Sequence, residues 1–75
     1  MRLYFDLHDD QGVWADEEGM ELRDVEAAEV EAALSLVDMI KAAVRRKRKG
    51  HMAVEVRRAD GPLFQAIFEL KARHS

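Results

Sequence analysis

Seventy-five residues with no cysteine suit a single domain, residues 1–75, near the lower size at which one core holds without staples, and they exclude disulfides and thiolate metal sites. The formal net charge is −3, but it is unevenly spread. Residues 1–44 carry three bases against twelve acids, a net of −9, and residues 45–75 carry nine against three, a net of +6. No apolar run approaches the ~20 residues that span a bilayer, and the opening MRLYFDLHDD lacks the apolar stretch of a secretory signal. A soluble cytoplasmic protein with no membrane partner is expected.

Arg2 to His8 alternates, with Leu3, Phe5 and Leu7 on one side and Tyr4, Asp6 and His8 on the other, the period of a half-buried strand. Asp9, Asp10, Gln11 and Gly12 supply turn chemistry, so Val13 to Ala15 reads as the returning strand of a hairpin, with Trp14 closing off one side of the core. After a second turn at Asp16 to Gly19, Met20 to Leu22 is a short extended lead-in, pinned to the core by Met20 and Leu22.

The segment from Asp24 to Gly50 has sustained helical periodicity. At about 100° per residue, Val25, Ala28, Ala32, Leu36, Met39, Ile40 and Ala43 share one face, flanked by Ala33, Val37 and Val44. Asp24 is a good N-cap, and Glu26, Glu29 and Glu31 sit near the positive end of the helix dipole. At the other end Arg45, Arg46, Lys47, Arg48 and Lys49 lie over the negative pole, with Gly50 placed to take the left-handed conformation that ends a helix. Val30 and Leu34 fall outside the core stripe and are expected to be exposed.

His51 to Arg58 alternates again, with Met52, Val54 and Val56 inward. Ala59 to Pro62 is a strong turn signal, and Leu63 to about Ala72 is the last strand, before a fraying tail of Arg73, His74 and Ser75. In that strand Phe64, Ala66, Phe68 and Leu70 outweigh the alternate set and face the helix, which leaves Leu63 and Ile67 on the open face near Tyr4. The order is β-β-α-β-β. It predicts an α+β fold in which one long helix packs on one face of a four-stranded antiparallel sheet.

With the elements placed, the spelling of the chain becomes informative. Tyr4-Phe5-Asp6, His8-Asp9, Asp16 to Gly19, Glu21-Leu22, the alanine-rich helix and the closing Ala53-Val54-Glu55-Val56-Arg57 with Asp60-Gly61 resemble a family of small bacterial proteins classed as a domain of unknown function. The resemblance covers nearly the whole chain and implies a fold, with no activity attached. The Arg45 to Lys49 run departs from that pattern, so any role for it is particular to this member. At the level of fold alone the arrangement is similar to small antitoxin domains that lay one helix on a short antiparallel sheet.

Motifs for chemistry are sparse. Asp6, His8, Asp9, Asp10 and Asp16 to Glu18 bear oxygen and imidazole ligands, but their spacing matches neither an EF-hand nor a zinc motif, and turn aspartates with exposed strand polars account for them more simply. No metal, cofactor or catalytic residue is assigned, and a non-enzymatic role is expected. The only serines are Ser35 and Ser75, and the glycines are isolated turn residues, which leaves neither a nucleophilic triad nor a phosphate loop. Two binding surfaces remain. Val30, Leu34, Tyr4 and Ile67 are candidate interface residues for a second copy, as in a homodimer, or for another protein. Arg45, Arg46, Lys47, Arg48 and Lys49 are candidate phosphate-binding residues of a nucleic-acid-binding, antitoxin-like regulator, the alternative reading.

Overall fold

A computed structural model of the chain describes residues 1–47 and 50–70. Strand β1, Arg2–Asp9, turns back through an aspartate turn in which Asp9 Oδ1 accepts from the Gln11 amide at 2.7 Å and from that of Gly12 at 3.2 Å. The returning strand β2, Gly12–Trp14, pairs Trp14 with Leu7 and Val13 with His8. The lead-in to the helix is itself a short strand, β3, Met20–Glu21, which pairs with Arg2 and Leu3 on β1. The sheet therefore has five strands where four were expected, the fifth being short enough to read as a linker in sequence.

Helix α1 spans Val25–Arg45. Asp24 caps it, its carboxylate accepting from the Ala27 amide at 2.8 Å. The C-terminal end departs from expectation. Arg46 is the cap, its amide donating to Ala42 O at 3.2 Å, and Lys47 takes the left-handed conformation with φ 55°. That conformation must follow the cap directly, so Gly50 stands too far along the chain to supply it. Gly50 instead opens β4, where a Cβ would overlap the carboxylate of Asp10 and φ is 137°.

Strand β4, Gly50–Arg58, lies between β1 and β5, Gly61–Leu70, giving the antiparallel order β2-β1-β4-β5 with β3 on the outer edge of β1. The expected extension of the last strand to Ala72, and the tail beyond it, lie outside the described residues. The core is built where α1 lies over β4 and β5, with the inward side chains of β1 beside them: Leu3, Ala28, Ala32, Val54 and Val56 are fully buried, with Leu36 and Met52 nearly so. Alanines at 28 and 32 let the helix backbone approach the sheet. The larger contributions come from Leu3, Val54 and Val56, each worth roughly 1.5 to 3 kcal/mol of burial. Phe5, Leu7, Met39, Ile40, Phe64, Ala66 and Phe68 pack around them.

Three expectations about the core are corrected. Leu63 packs against it, because a bulge at Val56/Arg57 pairs Arg57 with Pro62 and Val56 with Phe64 and leaves Leu63 as the extra residue, turned inward beside Phe64. Trp14 is 53% exposed and Met20 42% exposed, since β2 and β3 lie on the outer edge of β1, away from the β4 and β5 strands that carry the helix. Ala33, Val37 and Val44, placed by periodicity beside the core stripe, are exposed, because the alanine stripe seats only a narrow strip of the helix on the sheet. Ala53 faces the open side, as the alternation predicts, yet is only 3% exposed, screened by its larger cross-strand neighbours His8 and Ile67. Among the described residues, no helix is long and apolar enough to cross a membrane.

Candidate functional site

Strands β2 and β3 cover the two ends of β1's outer edge and leave its middle open, and a polar cluster fills the gap. The Phe5 amide donates to Asp16 Oδ2 at 3.1 Å, so a carboxylate takes the place of a strand neighbour. The other oxygen of Asp16 accepts from the Glu18 and Gly19 amides, each at 3.1 Å, which holds the turn. Asp16 in turn donates its own amide to Asp6 Oδ1 at 2.8 Å.

Asp6 stands on the open face of the sheet, where its register partner across β4 is Glu55, and Tyr4 beside it pairs with Arg57. Arg57 Nε donates to Asp6 Oδ2 at 2.8 Å, its Nη2 donates to Asp16 O at 3.0 Å, and its guanidinium lies 4.7 Å from the centre of the Tyr4 ring. Burial pushes the Asp6 carboxyl up, but the Arg57 hydrogen bond, the Asp16 amide and the nearby charges of Arg57 and His8 outweigh it, so the net shift is downward. Asp16 is likewise lowered: burial raises it, and the Gly19, Phe5 and Glu18 amides with the Arg57 charge more than compensate. The Arg57 guanidinium is raised, chiefly by its bond to Asp6. Both carboxylates are thus held ionised and fully engaged in joining β1, β4 and the 15–19 loop. Next to them His8 Nε2 is shielded from solvent and has no hydrogen-bond partner among the described residues. Among those residues no three His, Asp or Glu side chains converge as a metal-binding group.

The sequence-derived interface residues fall on opposite sides of the molecule. Tyr4 is half-buried under Arg57, and Ile67, 57% exposed, lies on the open face of the sheet in one cross-strand row with Ala53, His8 and the 60% exposed Val13. Val30 and Leu34, 57% and 56% exposed, lie on the outer face of α1. They are joined there by Val37 and Val44, which sequence reasoning had placed beside the core. The signal that would have found them is the spacing of 30, 34, 37, 41 and 44, alternating four and three residues, which keeps these positions together on one face of a helix.

Of the basic run, Arg45, Arg46 and Lys47 are exposed at the end of α1, and Arg48 and Lys49 lie outside the described residues. An open cleft of ≈ 190 Å³ adjoins this end, between helix and sheet. It is lined by Leu7, Trp14, Met39 and Met52 together with Asp9, Asp10 and Arg46. Arg46 therefore shares its surroundings with two carboxylates, which lowers the positive potential at that corner.

The chain belongs to the family described as Domain of unknown function (DUF6894), whose model matches residues 2–69. No curated protein and no solved structure matches it.

Proposed function

We propose that this member of the DUF6894 family is a non-enzymatic interaction module that binds protein through the outer face of α1. The observation that carries the reading is the row Val30, Leu34, Val37 and Val44, each 44% to 57% exposed and all on the helix face turned away from the sheet. An apolar row of this length costs solubility unless it is covered for part of its working life, and helix faces of this kind are met by other helices. The polar cluster of Asp6, Asp16 and Arg57 is occupied with holding the sheet edge, which supports a structural part for these residues.

The absence of cysteine allows a direct test. A Leu34→Cys chain carrying a thiol-linked photocrosslinker is illuminated in extract of the source cells, beside a control labelled at Glu17. A covalent adduct is expected at position 34, to a second copy of the chain or to another protein, and it should be lost when the labelled chain also carries Val30→Glu. Equal adducts at both positions would sink the proposal. The exposed Arg45, Arg46 and Lys47 favour a second reading, binding to nucleic acid; it requires affinity that falls steeply with salt and is lost when these bases become Gln.

A further inference from the structure

We infer that the occupant of the outer helix face is a second copy of this chain, docked by its own α1 in an antiparallel pair. This rests on the protein-binding reading of that face and names its partner. Ala27, Val30, Leu34, Val37, Lys41 and Val44 follow at intervals of three and four residues, the a and d positions of three heptads on one 21-residue helix. Ala27 is half-buried and the other five are exposed. The seam lies nearly opposite the Ala28, Ala32 and Leu36 stripe that seats the helix on the sheet, so two copies meet without obstruction from either sheet. The product is a four-layer assembly of sheet, helix, helix and sheet about a twofold axis.

Charge decides the direction. Glu26, Glu29 and Glu31 occupy the first half of α1, and Lys41 and Arg45 its last turns. In a parallel pair, Lys41 would share a layer with Lys41 of the second copy, and each acidic end would face the other. In an antiparallel pair, Leu34 meets Val37 of the second copy, Ala27 meets Val44, and Val30 meets the aliphatic stem of Lys41. Glu31 then flanks the seam beside Arg45 of the second copy, twice by symmetry. One pairing is adverse: Asp38 lies next to the axis and faces Asp38 of the second copy. The same geometry therefore states which residues hold the pair together and which one weakens it.

Sedimentation equilibrium over a wide concentration range tests the arrangement, with circular dichroism confirming that each variant stays folded. The natural chain is expected to show a monomer–dimer equilibrium, and Leu34→Glu, at an exposed position, to weaken it by more than about tenfold. Glu31→Lys and Arg45→Glu are each expected to weaken it by roughly threefold to tenfold, and the two together to restore it. Asp38→Asn is expected to tighten it, a gain that loss of folding cannot imitate. A natural chain that stays monomeric throughout, or a dimer indifferent to Leu34→Glu, to the charge swap and to Asp38→Asn, would overturn the inference. A position-34 adduct with a different protein would then still stand for the wider reading.

Discussion

Arg57 and Asp6, 51 residues apart in sequence, meet at 2.8 Å across the open face of the sheet. Asp6 is only 7% exposed, so its charge depends on that contact and on the Asp16 amide. Arg57→Ala is expected to lower stability by about 2 kcal/mol, the scale of a charge-assisted hydrogen bond lost from a shielded carboxylate. Urea unfolding of Arg57→Ala, Asp6→Asn and the double variant measures this. The double variant should cost less than the two single changes added together, because each single change strands the same pair.

Acid should act through the same cluster. The carboxyls of Asp6 and Asp16 are lowered in the folded state from an ordinary value of 3.8, so their contribution is fully present above that value. It is lost as pH falls below it through their folded-state values. Thermal unfolding followed from pH 6 to pH 2 (roughly the span around an ordinary carboxylate) should show the fall. Asp6→Asn should flatten it.

Asp16 stands in for a strand neighbour of β1. Asp16→Ala removes the acceptor for the Phe5, Glu18 and Gly19 amides and should cost about 1 to 3 kcal/mol. Amide exchange should speed up most at Phe5 and Gly19, while the β4–β5 ladder keeps its protection. Uniform acceleration across the sheet would argue against this local role.

Gly50 sits at φ 137° with Asp10's carboxylate where a Cβ would go. Gly50→Ala is expected to lower the melting temperature by several degrees, on the order of 1 to 3 kcal/mol for a side chain forced into that conformation. Gly61→Ala, which meets open space, serves as the control and should change little.

Much of this was legible in the sequence, and the misses share a cause. Alternation of Leu3, Phe5 and Leu7, and of Met52, Val54 and Val56, set the inward faces, and Asp24 marked the start of α1 as its bond to Ala27 bears out. Periodicity placed Ala28, Ala32 and Leu36 correctly but could not say how wide a strip of helix the sheet would cover, so Val37 and Val44 were assigned to the wrong side. The bulge that turns Leu63 inward depends on pairing between two strands, which neither strand spells alone. The Asp6–Asp16–Arg57 cluster was hidden for the same reason: each residue reads as an ordinary turn or strand polar until β1 is set beside β4.

The measurement closest to the central claim is a methyl spectrum of the labelled chain across a dilution series, since Val30, Leu34, Val37 and Val44 report the outer helix face and Ile67 the open sheet face. The methyls of the helix set should shift together with concentration while those of Ile67 and the buried Val54 and Val56 stay fixed. Shifts confined to Ile67, or no shift anywhere, would contradict it.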